Sequence, residues 1–200
     1  MYKKTCIIDC VQAGGVVRII AGSARGRLLK SPKGMLTRPT LDSTRESLFN
    51  ILGPGALKDA AVLDIFAGTG ALGLEAVSRG ATKAVFIDSR TGALIRENAL
   101  LCRAADRCTV LAGDYKRMLA HLQGERFDYI FADPPYVKNF VNETIALIFR
   151  HTLLRSDGLL LMEHSSREPI ADSPLFTIIR KKTYGSDTQI SFIRGCKEGV

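Results

Sequence analysis

Ala61-Val62-Leu63-Asp64-Ile65-Phe66-Ala67-Gly68-Thr69-Gly70-Ala71-Leu72-Gly73 reads as a short apolar strand that turns through glycines into a helix. The run to Phe66 is strand-length and apolar apart from one acid. Gly68-x-Gly70-x-x-Gly73 then supplies a tight turn and lets a ligand approach the backbone closely. The helix continues through Val77, and Gly80 is placed to stop it. Strand, glycine turn and helix in this order form the first unit of a nucleotide-binding α/β sheet.

The pattern repeats downstream. A strand at Ala84–Ile87 ends in Asp88, and a helix follows around Ala93–Leu101. A strand at Cys108–Ala112 leads into Gly113-Asp114, followed by a helix through Met118 and Leu122. Phe127–Ala132 is a strand ending at Asp133-Pro134-Pro135-Tyr136, with a helix over Val141–Phe149 and a buried strand at Leu159–Met162 beyond it. Phe176–Lys182 and Gln189–Arg194 flank Tyr184-Gly185-Ser186-Asp187, a hairpin loop. Alternation of this kind gives a mostly parallel sheet with helices on both faces, and the hairpin adds an antiparallel element.

Four strand ends in a row carry an acid: Asp64, Asp88, Asp114 and Asp133. Ligands of open α/β sheets sit at those ends. Asp88, twenty positions after Gly68, stands where a carboxylate takes a ribose diol. A nicotinamide dinucleotide and S-adenosylmethionine (SAM) both offer that ribose. Three features favour SAM. Asp64, inside the strand, can order the loop and face a cation, which a pyrophosphate site does not need. Asp114 can accept from an adenine amine. Asp133-Pro134-Pro135-Tyr136 has no use in hydride transfer, but it offers a carboxylate, a free carbonyl on Pro134 and an aromatic face on Tyr136. A nucleobase bearing an exocyclic amine needs that set: two acceptors and a stacking partner.

Upstream, residues 18–45 hold Arg18, Arg25, Arg27, Lys30, Lys33, Arg38 and Arg45 against one acid, Asp42. Gly22, Gly26, Gly34, Pro32 and Pro39 make the segment a strand-and-loop arm, beginning with a strand over Val16–Gly22. Arginine-rich loops suit bidentate contacts to phosphates rather than bases. Thr40-Leu41-Asp42-Ser43 caps a helix through Ile51-Leu52. Gly14-Gly15 separates residues 1–16, an extension with no candidate site group.

At 200 residues, 46 % apolar and 24 % charged, the chain fits one domain with a substantial core. Net charge is +8, consistent with a polyanionic partner. No apolar run reaches the roughly 18 residues of a membrane span, and the start is a poor signal peptide, so a cytoplasmic location is expected. The five cysteines are scattered with no C-x-x-C, which points to reduced thiols and no metal. His121, His151 and His164 show no triad spacing and read as surface or core residues.

The chain resembles class I SAM-dependent methyltransferases carrying the N/D-P-P-Y/F amine-methylation motif. More closely, from about Arg18 onward it is similar to the RsmD family, which methylates guanine N2 in small-subunit ribosomal RNA. Arg18-Ile19-Ile20-Ala21-Gly22, Thr37-Arg38-Pro39-Thr40, Arg45 through Leu52, Leu63 through Ala76, Asp133 through Tyr136 and Tyr184-Gly185 carry the likeness. The resemblance implies a Rossmann-like, seven-stranded, mostly parallel sheet with one reversed strand and helices on both faces. It implies one domain over 17–200, with the RNA-contacting arm at 17–52, acting as a monomer on small-subunit rRNA or a 30S assembly intermediate. Family members begin at the Arg-Ile-Ile-Ala-Gly segment, so residues 1–16 are additional.

The implied cofactor set is Asp64, Phe66, Ala67, Gly68, Thr69, Gly70, Asp88, Ser89, Asp114, Tyr115 and Asp133, taking SAM and releasing S-adenosylhomocysteine. The catalytic set is Asp133, Pro134, Pro135 and Tyr136, and the RNA set is Arg18, Arg25, Arg27, Lys30, Arg38 and Arg45. The same turn also suits an adenine-N6 methyltransferase of DNA or RNA. A non-catalytic RNA-binding module and an NAD oxidoreductase are rival readings, which the acids at all four strand ends and the Asp133–Tyr136 turn argue against.

Overall fold

The computed structural model describes residues 17–31, 42–135 and 139–196. The extension 1–16, Lys33 and Arg38 of the arm, the helix cap at Thr40-Leu41 and Tyr136 lie outside these residues.

The chain forms β1 (Val17–Arg18), β2 (Leu28–Leu29), α1 (Asp42–Leu52), β3 (Ala61–Ile65), α2 (Ala71–Ser78), β4 (Lys83–Asp88), α3 (Gly92–Leu101), β5 (Cys108–Ala112), α4 (Tyr115–His121), β6 (Phe127–Ala132), α5 (Phe140–Arg150), β7 (Leu154–Ser165), β8 (Phe176–Tyr184) and β9 (Thr188–Gly195). Seven strands make one sheet in the order β5-β4-β3-β6-β7-β9-β8. β3 pairs in parallel with β4 and β6, as do β4 with β5 and β6 with β7. β9 is the reversed strand, inserted between β7 and β8 and antiparallel to both. The order changes direction at β3 and β6, so a crevice opens at their carboxyl ends.

Period-two alternation sends successive residues to opposite faces. Val62, Phe86, Phe131, Leu161 and Phe192 pack with Leu48, Phe49, Leu74, Val77 and Ile95 of α1, α2 and α3. Leu63, Ile65, Val85, Ile130 and Met162 pack with Leu119, Ile145 and Ile148 of α4 and α5. The β3–β6 pair at the centre is therefore rigid, and its ends are fixed platforms for side chains.

Two elements differ from the sequence reading. Among the described residues, the arm's first strand covers Val17–Arg18 and stops there, because the N–H groups of Ile20 and Ala21 leave the ladder for the carboxylate of Glu75, at 2.7 and 3.0 Å. Gly22 then turns the chain at φ +81°, so close to α2 that a Cβ there would lie 1.8 Å from the Ser78 carbonyl oxygen. β7 is longer than its apolar centre. It begins at Leu154 with exposed polar residues and a register shift against β6 between Phe127 and Tyr129. Among the described residues, no helix is long and apolar enough to cross a membrane.

Candidate active site

The loop after β3 sits at the crevice. Phe66 has φ +61°, Gly68 +55° and Gly70 +78°, so the chain turns sharply while Ala67 N–H still reaches the Ile87 carbonyl at 3.1 Å. Left-handed backbone is uncommon for a bulky residue. At Phe66 it is held by the ring, whose centre lies 4.9 Å from that of Tyr115 and 6.2 Å from that of Phe140. The glycines divide the work. A Cβ at Gly73 would lie 2.4 Å from the Phe86 ring, so Gly73 lets α2 press on the sheet, whereas one at Gly68 would meet only the Phe66 carbonyl oxygen, at 4.0 Å. The surface of the loop at Gly68 is thus open to a ligand.

Asp88, the last residue of β4, braces this loop. Its Oδ2 accepts from Gly68 N–H at 3.0 Å, and its Oδ1 accepts from Arg90 and Thr91 N–H at 2.8 and 2.9 Å. Burial acts to raise its pKa, but these three N–H groups outweigh it and the net shift is downward. Ser89 follows at the surface. Asp114 is exposed at the end of β5. It caps α4, accepting from Arg117 N–H at 3.2 Å, and Gly113 N–H ties the same corner to the Asp88 carbonyl at 3.1 Å.

Asp64 is placed differently from the expectation that it faces a cation. It lies inside β3 on the α2 side, 3 % exposed, and its Oδ2 accepts from Gly73 N–H at 2.9 Å. It therefore orders the loop from beneath. Burial pushes its pKa up to about 8; the Gly73 N–H opposes this, and the carboxylates of Asp133 and Asp88 add to it. The Tyr115 side chain turns inward: it is buried beside Phe66 and Phe140, and its hydroxyl donates to Glu143 Oε2 at 2.8 Å.

Asp133 follows β6 directly and is exposed, with its N–H on the Ile65 carbonyl at 3.4 Å. Pro134 is buried and Pro135 exposed. The turn is thereby held beside the start of the glycine loop, with a carboxylate at the surface of the crevice. Loop, Asp88, Asp114 and Asp133 form one continuous rim from β5 to β6. A cavity of about 1250 Å³ opens at the opposite edge of the sheet, lined by Lys58, Arg126, Asp128, Phe149 and Arg155 among others. None of the rim acids borders it.

The arm packs against α2 and α3. Arg18, Arg25, Arg27 and Lys30 are exposed, and Lys30 pairs with Glu97 at 2.9 Å. Arg45 does not belong with them. It is 2 % exposed, and its Nη2 donates to the Arg18 carbonyl at 2.7 Å, so it fastens the arm to α1 from inside. Two further residues escape the sequence reading. Glu75, fully buried, holds Ile20 and Ala21 and pairs with Arg79 at 2.7 Å. Asn98, also fully buried, accepts from Lys30 N–H at 2.8 Å and donates to the carbonyls of Lys30 and Thr69 at 3.0 and 2.9 Å. It joins the arm to the glycine loop. Glu75 is marked in the sequence as the one charged residue of an otherwise apolar helix stretch, whereas Asn98 follows Arg96 and Glu97 and carries no such mark.

His164 is a core residue, with Nδ1 on the Ser165 and Glu168 carbonyls and Nε2 2.9 Å from Ser191 Oγ. Cys102, Cys108 and Cys196 are free thiols.

A family model described as "Conserved hypothetical protein 95" matches residues 17–193. The Ribosomal RNA small subunit methyltransferase D of Escherichia coli K12 is 37 % identical over 175 residues, covering 86 % of each chain. The solved structure of yhhF from Escherichia coli, a candidate methyltransferase, superposes with a TM-score of 0.78 at 34 % identity, over 92 % of this chain and all of that one. SMU.776, a candidate methyltransferase solved with S-adenosylhomocysteine bound, shares the fold at a TM-score of 0.60 and 17 % identity, over 76 % of this chain and 48 % of that one.

Proposed function

Because the chain belongs to the RsmD-like family described as Conserved hypothetical protein 95, we propose that it transfers the methyl group of SAM to the exocyclic N2 amine of a guanine in small-subunit ribosomal RNA. The observation that carries this reading is the position of Asp133, an exposed carboxylate fixed at the end of β6 beside the open side of the glycine loop.

The rim fits SAM. Gly68 leaves the loop open for close backbone approach. Asp88 presents a carboxylate kept ionised by its N–H partners, suited to ribose hydroxyls, and Asp114 keeps carboxylate acceptor capacity beyond its cap for an adenine amine. SAM supplies an electrophilic methyl on a sulfonium, already a good leaving group.

The chain's own task is to present the amine. Its lone pair is delocalised into the base. Asp133 and the Pro134 carbonyl accept the two N–H bonds and draw the nitrogen toward tetrahedral geometry, so that the lone pair points at the methyl carbon. Asp133 then stabilises the positive charge that develops on nitrogen; it need not remove the proton before attack, and the methylated amine releases that proton to solvent after S-adenosylhomocysteine has formed. The two prolines hold the turn stiff. Tyr136 gives the base a stacking face once it leaves its helix. Arg18, Arg25, Arg27 and Lys30 anchor the RNA through phosphates.

The test adds the protein and labelled SAM to small subunits and to rRNA from a strain lacking it, then separates nucleosides. Label on N2-methylguanosine is expected. Label on N6-methyladenosine, or only in DNA, overturns the substrate while leaving the cofactor reading intact.

A further inference from the structure

β8 is the outer strand of the sheet and carries Arg180, Lys181 and Lys182, all exposed. Its pairing with β9 shifts register between Ile178 and Arg180. Ile178 lies opposite Ile193, which packs under α4 and α5, but Arg180 lies opposite Phe192 and Lys182 opposite Ile190, both of which pack under α1 to α3. Directly opposed residues in an antiparallel pair share a face. Unbroken alternation would have left Arg180 and Lys182 on the α4–α5 side with Ile178. The extra residue re-aims both cations, as bulges do, onto the face that carries α1 and the arginine arm.

The placement along the strand agrees. β8 and β7 are both antiparallel to β9, so they run the same way, and the carboxyl end of β8 lies at the edge of the sheet where Asp133 sits. That end is fastened to α1 by the Tyr184 hydroxyl, which donates to Ser47 Oγ at 3.0 Å, and the Lys182 ammonium stands 6.0 Å from the centre of the Tyr184 ring. Of nearby acids, Asp187 is engaged by Ser165, Ser166 and Arg167. Glu163 lies opposite Ile190 from the β7 side. The arm stands on α2 and α3, beyond the other flank of α1. Basic surface thus brackets α1 on one face of the molecule.

We propose that Arg180 and Lys182 form a second phosphate-contact surface, so that the RNA spans α1 from the arm to β8 while the target base reaches Asp133. This rests on the reading that the substrate is RNA. Two separated anchors on one face would fix the direction of the strand across the crevice, which one anchor alone cannot do. Cations on an outer strand also prevent edge-to-edge pairing of sheets, and that role alone predicts no effect on RNA.

The experiment measures filter binding of transcribed small-subunit rRNA over a salt series. It compares wild type, R180Q/K182Q and the charge-matched pair K58Q/R126Q at the opposite edge of the sheet. The β8 pair should bind roughly tenfold more weakly at low salt, with a log–log salt slope shallower by about 1 to 2. The remote pair should match wild type, and SAM affinity should be constant throughout. R180K/K182R, which keeps both charges, should retain wild-type RNA binding, and its melting temperature controls for damage to the strand. Wild-type binding by R180Q/K182Q, or an equal loss in the remote pair, overturns the surface while rRNA methylation by wild type stands. Absence of rRNA binding and methylation by wild type itself would overturn both.

Discussion

Asp88 Oδ2 accepts the N–H of Gly68 at 3.0 Å, so the carboxylate at the end of β4 braces the glycine loop of β3. The same side chain is the proposed ribose acceptor. Asp88→Ala should therefore have two consequences. SAM binding by calorimetry should weaken by roughly 1–3 kcal/mol, through lost charge-assisted hydrogen bonds and a looser loop. The melting temperature should also fall, because three backbone N–H groups lose their acceptor. Unchanged SAM affinity in a folded variant would remove Asp88 from the cofactor site.

Asp133 behaves in the opposite way. It is exposed, and its proposed partner is the target amine. Asp133→Ala should weaken SAM binding far less than it lowers methyl transfer into rRNA, which is abolished, with the melting temperature measured to confirm that the variant is folded. Near-normal transfer by this variant would sink the mechanism.

Asp64 yields a pH dependence. Its folded pKa, about 8, lies above the ordinary value of 3.8, because burial disfavours the carboxylate. The folded state thus holds a proton that the unfolded state releases, and this contribution to stability is complete below pH 3.8 and lost as pH rises through about 8. Asp64→Asn keeps an oxygen for the Gly73 N–H and removes the titration. Its melting temperature should gain on that of wild type as pH is raised from 5 to 8.5. A constant difference across that range would show that Asp64 does not titrate there.

What is legible in the sequence is whatever depends on order and spacing along the chain. The strand–helix alternation and the place of Asp88 at the end of its strand hold as read, because sheet topology and strand ends follow from local pattern. Arg45 is misplaced when charge is counted along the arm rather than around the helix. Arg45, Leu48, Phe49 and Leu52 recur at helical spacing, which already places the arginine on the inward stripe of α1. The inward direction of the Tyr115 side chain is hidden for the related reason that adjacency to Asp114 does not give side-chain direction at a helix start. Glu75 and Asn98 bind segments 54 and 68 positions away. Such partners cannot be seen until the chain is folded, although Glu75, a lone charge in the apolar stretch of α2, does signal that one is needed.

The difference between Arg45 and its neighbours gives the last prediction. Arg25 and Arg27 are exposed on the loop between β1 and β2, with Arg18 just before it. Replacing Arg25 and Arg27 by Ala should weaken rRNA binding and flatten its salt dependence, each lost phosphate contact reducing the slope by roughly one. SAM affinity and melting temperature should hardly move. Arg45→Ala should do the reverse. It removes the buried donor to the Arg18 carbonyl and leaves a cavity under α1, so stability should fall by roughly 1–3 kcal/mol in chemical denaturation. Any loss of RNA binding should then follow the loss of folded protein, with the salt slope of the surviving fraction unchanged. A shallower slope in Arg45→Ala at full stability would return Arg45 to the RNA surface, against its burial.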